Sequence, residues 1–305
     1  MKEKLINVVL MIMIILTSLA IIPEKQHYNI IKIWILLICA ALLLLLILAN
    51  YKKFKLDKKD YVILGFGFLI FISFINSNNT ITSLLGERNR YEGMLTLYTY
   101  ILVYMCAKKF LNYKKKTLLR IFQVLYMIIG VLGIVQNYVT YPTSLLLPIL
   151  NKGVCGTFGN TNFMGNFTSM GLPLFIITYI LDNDKVSLST TVVIFYCLLA
   201  CNARSGWVAF IAFCIVLIIY LVKNFKKEYI KRIFVLIIAF IAIFTLVYTQ
   251  KNSFLKRKIN TTKYDISIMK ESGILNGKIG SGRIQIWKIV IDLIRKISNF
   301  GSRTR

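Results

Sequence analysis

IIKIWILLICAALLLLLILAN, residues 30–50, carries one charge, Lys32, in 21 residues. A helix rises about 1.5 Å per residue, so about 20 apolar residues cross the roughly 30 Å hydrocarbon core of a bilayer. The stretch also lacks the polar stripe that a helix on the surface of a water-soluble protein needs. It predicts a transmembrane helix. Eight more apolar runs accompany it: Leu5–Ile22, Tyr61–Ile75, Met94–Phe110, Leu118–Tyr138, Phe167–Leu181, Val186–Cys201, Ser205–Val222 and Ile233–Thr249. The composition agrees, with 57% hydrophobic and 16% charged residues, against about 25% charged in an ordinary soluble domain. The sequence therefore predicts an all-α, polytopic transmembrane helix bundle of about nine spans, and excludes a soluble helical core.

The first run follows two lysines, Lys2 and Lys4, as a signal peptide would. It is longer than the ~7–15 apolar residues of a signal core, and no small-x-small cleavage site follows it. It is read as a retained first helix.

Lysines and arginines set the orientation. With the N-terminus inside, the inside segments hold 19 Lys and Arg and the outside segments 6; the stretch from Lys251 onward holds 13. That alternation predicts a cytoplasmic N-terminus, and nine spans then leave the C-terminus outside. The net charge of +26 is thus mainly a topology signal. Because the inside charge is divided among short loops and forms no single stripe, it argues against nucleic acid as a partner. The predicted localisation is the cell membrane, multi-pass, as in a bacterial cytoplasmic membrane.

Residues 1–249 are read as one transmembrane domain and 250–305 as an extracytoplasmic segment. Within that segment Ile286, Ile289, Val290, Leu293 and Ile297 recur at helical spacing, with Lys288, Asp292, Arg295 and Lys296 mainly on other faces. The pattern predicts an amphipathic helix lying at the membrane surface, too charged to span it.

The unusual polar residues gather at the outer ends of the apolar runs. Arg204 stands in the short hairpin CNARSGW, Cys201–Trp207, between two apolar helices. An arginine beside hydrocarbon pairs, snorkels or grips an anion through its fork of donors. Arg283 follows Gly280-Ser281-Gly282 at the start of the amphipathic helix; alone it reads equally as a plain loop arginine. Residues 153–166 concentrate Gly153, Gly156, Gly159 and Gly165 with Asn160, Asn162 and Asn166. Asparagine offers uncharged donors and acceptors that suit sugar hydroxyls; the same composition also suits a turn-rich connection. Arg88 and Arg90 are further substrate-binding candidates, or a loop self-paired with Glu87 and Glu92. The single His27 has only Glu24 nearby and is read as a surface residue. The six cysteines show no CxxC spacing and lie mostly in apolar runs, as small packing residues do. No nucleotide-binding loop, metal pattern or Ser/His/Asp set occurs, so no cofactor is expected.

Taken together, GTFGNTNFMGNF (Gly156–Phe167), ARSGW (Ala203–Trp207), GRIQIW (Gly282–Trp287) and RYEG (Arg90–Gly93) resemble motifs of the O-antigen ligase and polymerase-like superfamily, over roughly Gly86–Trp287. Ala203 stands where that family usually has serine. The resemblance implies a membrane glycosyltransferase. It would move glycan from an undecaprenyl-diphosphate carrier to a lipid, glycan or wall-polymer acceptor on the outer membrane face. It also implies that Arg204 and Arg283 stabilise the departing diphosphate, that Gly159, Asn160 and Asn162 shape the pocket wall, and that no nucleotide is needed. Many ligases carry a histidine later in the large outer loop. This sequence ends at FGSRTR, residues 300–305, ahead of such a position, and a truncated or frameshifted reading frame is expected from that. The competing expectations are a polysaccharide or lipid transporter and an inactive truncated membrane subunit.

Overall fold

A computed structural model describes residues 2–21, 28–50, 56–87, 90–111, 116–138, 153–224, 226–250, 253–272 and 283–302. Among these residues every regular element is helical. The chain forms two compact units, Met1–Phe244 and Thr245–Arg305.

The first unit holds α1 (Lys2–Leu19), α2 (Tyr28–Leu48), α3 (Lys58–Ile75), α4 (Thr80–Leu85), α5 (Met94–Phe110), α6 (Lys116–Tyr138), a 3₁₀ turn (Gly156–Phe158), α7 (Thr161–Asp182), α8 (Lys185–Ala200), α9 (Arg204–Lys223) and most of α10 (Lys227–Thr249). Each predicted apolar run is a helix. Five helices are long and apolar enough to cross a membrane: Asn29–Leu48, Lys116–Tyr138, Thr161–Asp182, Arg204–Lys223 and Lys227–Thr249. Lys4–Leu19 and Lys185–Ala200 are apolar but shorter. In α9 only 6% of the apolar window is buried by protein. Val208, Ile211, Ile215 and Ile219 all face outward. Apolar surface left in water costs about 25 cal/mol per Å², so such a helix needs lipid around it.

Packing makes two groups of helices. In the first, α1, α2 and α5 close around Ile6, Leu10, Leu43 and Cys106, and α3 packs on α5. In the second, α8 lies against α6 and α7, and α7 lies against α9; Leu172, Phe175, Ile194 and Leu198 fill that centre. The 3₁₀ turn touches α1, α2, α6 and α7 and so joins the two groups.

Polar staples fix the end opposite that turn. Asp60, fully buried, accepts from Lys108 Nζ at 2.8 Å and lies 3.0 Å from Lys109 Nζ, tying α3 to α5. Asp57 N donates to its other oxygen at 2.7 Å. Arg120 donates through NH2 and NH1 to Asp184 at 2.8 and 3.1 Å, and Gln123 Nε2 donates to the same carboxylate at 2.6 Å. Asp184 also caps α8 by accepting from Ser187 N at 3.0 Å. Arg232 on α10 donates to the carbonyls of Ile180 and Leu181 at 2.5 and 2.9 Å, where the end of α7 presents unpaired carbonyl groups.

Burial pushes the Asp184 carboxyl up, but hydrogen bonds from Ser187, Arg120 and Gln123 outweigh it and hold it at about 2. A carboxylate depressed from the usual ~3.9 stabilises the fold above that value and stops doing so as pH falls through the folded value. Asp184→Asn is therefore expected to unfold at lower temperature than the wild type at pH 7. The gap should close as pH drops from about 4 toward about 2. Thermal unfolding of the detergent-solubilised protein across that range checks it; a gap independent of pH would refute it.

The second unit contains the end of α10, then α11 (Phe254–Ser272) and α12 (Arg283–Ser302). A helix, α12, covers the residues whose spacing predicted an amphipathic one. Helix α11 was not predicted, because Lys256, Arg257, Lys258 and Lys263 interrupt its apolar positions. Two boundaries also moved. The sequence treated residues up to Asn166 as loop, whereas α7 begins at Thr161. Asn160 ends the loop by accepting from Asn162 N at 2.8 Å, an N-cap that places the glycine- and asparagine-rich residues beyond it in a helix. Tyr61–Ile75 likewise lengthens to Lys58–Ile75 behind the capping box of Asp57 and Asp60.

Candidate functional site

The ends of α1, α6 and α8 and the starts of α2, α7 and α9 meet around residues 153–160. The backbone there is held by other segments rather than by itself. Val154 N donates to Ala200 O at 3.2 Å. Cys155 N and Gly156 N both donate to Gln136 Oε1, at 3.0 and 2.9 Å. Thr157 Oγ1 donates to Ser18 O at 2.5 Å, reaching α1. Phe158 lies 4.9 Å from Phe167, which stacks on Tyr126 at 4.0 Å. Gly156 and Gly159 have φ of +54° and +64°, a region that side chains with a Cβ rarely adopt. Burial pushes the Cys155 thiol up, against an opposing contact from Gln136, the direction expected of a cysteine that packs rather than reacts.

The hairpin from α8 to α9 sits beside this segment. Asn202 takes φ +63° at the turn. Trp207 Nε1 donates to Leu198 O at 3.0 Å and holds the start of α9 against α8. Gly165 and Gly206 allow α7 and α9 to touch: a Cβ on Gly165 would lie 2.5 Å from Ala203 Cβ, and one on Gly206 would lie 2.9 Å from Gly165 O. The small residues and tryptophan of ARSGW thus have packing roles. Arg204 is different. It is half-buried and is the first residue of α9. A cation at a helix N-terminus adds positive charge to backbone amides that already favour anions. The two together suit a negatively charged group.

Gly165→Leu would force α7 off Ala203 and the hairpin. Overpacking of this kind costs about 1–3 kcal/mol, and the variant should melt several degrees lower than the wild type. Gly165→Ala should lie between them. A Leu variant as stable as the wild type would show that the contact is not tight.

Of the residues singled out in the sequence, Gly159, Asn160, Asn162 and Arg204 come to one end of the bundle. Asn160 and Asn162 are exposed there. Arg90 is exposed in a separate turn between α4 and α5, where Thr96 Oγ1 donates to Tyr91 O at 2.6 Å. Arg88, His27 and Gly280–Gly282 lie outside the described residues. Arg283 begins α12 in the second unit. Two residues at this end were missed. Gln136 gave a weak signal, as a polar residue near the end of an apolar run. Lys32 gave a stronger one, as the charge inside residues 30–50. Among the described residues, no group of three or more His, Cys, Asp and Glu is placed to hold a metal ion.

Residues 189–303 match the family described as O-antigen ligase. This stretch of the chain is similar to O-antigen ligases. The match supports the resemblance to the O-antigen ligase and polymerase-like superfamily, and the long apolar helices support a multi-pass membrane protein. The matched stretch runs from within α8 through α12 and contains both Arg204 and Arg283. Gly159, Asn160, Asn162, Arg88 and Arg90 precede it. No curated protein and no solved structure matches the chain.

Proposed function

We propose that the protein is a nine-span membrane glycosyltransferase with its N-terminus in the cytoplasm. It transfers glycan from an undecaprenyl-diphosphate carrier to a lipid, glycan or wall-polymer acceptor at the outer face of a bacterial cytoplasmic membrane. The observation that carries this reading is Arg204 at the start of α9, on a hairpin packed against the first turns of α7. In the reaction the acceptor oxygen bonds to the anomeric carbon as the bond from that carbon to the phosphate oxygen breaks. The acceptor releases its proton, and the lipid diphosphate leaves with the added negative charge. Arg204 takes that charge, with Arg283 a second candidate for the role, and donors fixed before the reaction stabilise charge without reorganising. Asn160 and Asn162 offer uncharged hydrogen bonds to sugar hydroxyls beside them, and Gly159 turns the chain into their helix. Arg88 and Arg90, which precede α5 in the sequence, contact the glycan. In the second unit α12 lies on the outer membrane surface, its isoleucines in the acyl boundary.

The test uses the full chain in proteoliposomes with carrier-linked glycan and an envelope acceptor fraction. Appearance of free undecaprenyl diphosphate together with glycan-bearing acceptor supports the reading. Folded protein that releases neither would refute it.

A further inference from the structure

Lys32 lies in the second turn of α2, close enough to the membrane surface for its amine to reach water. Lysines at such positions normally extend outward along their aliphatic stem. Here Nζ is buried and meets no hydrogen-bond acceptor among the described residues. It sits 4.7 Å above the Phe158 ring centroid. That ring belongs to the 3₁₀ turn anchored by Thr157 on Ser18 O and leads directly into Gly159 and Asn160. An ammonium group kept from water, with an aromatic face beside it and no acceptor among the described residues, is costly, because its donors go unused. The cation–π contact recovers part of that cost. An anionic oxygen at Nζ would recover the rest.

We propose that Lys32 is a further substrate-binding residue, which takes a phosphate oxygen of the polyprenyl diphosphate beside the Gly156–Asn160 segment. This rests on the glycosyltransferase reading above, and it adds to the matched stretch a cation from a helix well outside it. Lysine suits the place as a compact charge on a flexible stem with three rotatable donors.

Full-length wild type, Lys32→Met and Lys32→Arg in nanodiscs would be titrated with undecaprenyl diphosphate, undecaprenol, inorganic diphosphate and phosphatidylglycerol. A hydrogen bond to a charged group accounts for about 10–100-fold in Kd. Lys32→Met should weaken undecaprenyl diphosphate binding by that factor and leave undecaprenol binding unchanged. Lys32→Arg should lie between, and added salt should narrow the difference. Removing a buried lone charge should not impair folding; if Lys32→Met fails to accumulate, Lys32→Gln is read in the same assay. Equal binding of undecaprenyl diphosphate by wild type and variant would overturn the role of Lys32 alone. A wild type that binds no polyprenyl diphosphate would overturn the glycosyltransferase reading as well. Phosphatidylglycerol competing as well as the diphosphate would mean a phospholipid site, and that too would overturn the proposal.

Discussion

Arg204→Ala is expected to lower glycan transfer by about 10²–10³-fold, the loss typical of one donor to a developing anion, or about 2.7–4 kcal/mol of barrier. The fold should survive, because two contacts that hold the hairpin do not depend on this side chain: Trp207 to Leu198 O, and Gly165 against Ala203. Arg204→Lys keeps the charge at the start of α9 but loses the bidentate fork, so it should recover only part of the rate. Charge on the diphosphate grows as the glycosidic bond breaks. The loss should therefore appear more in kcat than in KM for the carrier-linked glycan. The measurement is release of undecaprenyl diphosphate by variants matched for melting temperature. Transfer at the wild-type rate by Arg204→Ala would remove the assigned role. A loss confined to KM would reassign Arg204 to ground-state binding.

Some of this architecture could be read directly from the chain. Each apolar run became a helix because hydrocarbon-compatible side chains fill all its faces, and that property is local. Arg204 was visible for the same reason, as a charge where apolar context excludes one. The boundaries of α7 were not visible. Gly159 through Asn166 has the composition of a loop, and only the hydrogen bond from Asn162 N to the Asn160 side chain shows where helix begins. The meeting of Lys32 with Phe158 was hidden more deeply. It joins residues more than a hundred positions apart, and no periodicity within either helix encodes it. Serine at 203 would have led a reader to assign that position to catalysis. The contact between Ala203 and Gly165 instead shows a site chosen for small size. The short apolar helices, Lys4–Leu19 and Lys185–Ala200, show the limit in the other direction. Apolar length alone ranks them below spans, although Cys197 Sγ, donating to Gly130 O at 3.2 Å, packs α8 deep against α6.

Gln136→Leu is expected to cost about 2–4 kcal/mol of stability, a large effect for a substitution of similar size. Gln136 is only 6% exposed, and its single carbonyl oxygen serves two backbone donors, Cys155 N and Gly156 N. Leucine offers neither an acceptor nor space for water. Each buried donor left unsatisfied costs about 1–3 kcal/mol, more than the bond contributes net when made. The consequence reaches the site. With both amides released, the Gly156–Phe158 turn loses its hydrogen-bonded tie to α6, while Thr157 on α1 and Val154 on α8 remain. Asn160 and the start of α7 follow that turn, so glycan transfer should fall together with stability even though Gln136 touches no substrate in the proposed reaction. Gln136→Glu separates the two explanations. Its carboxylate can accept both amides, so it should recover more of the stability than leucine does, reduced by the cost of a buried charge. Thermal unfolding and transfer, measured on the same preparations, check the prediction. A Gln136→Leu protein that melts with the wild type would show that the two amides find other acceptors and that α6 does not set the shape of the site.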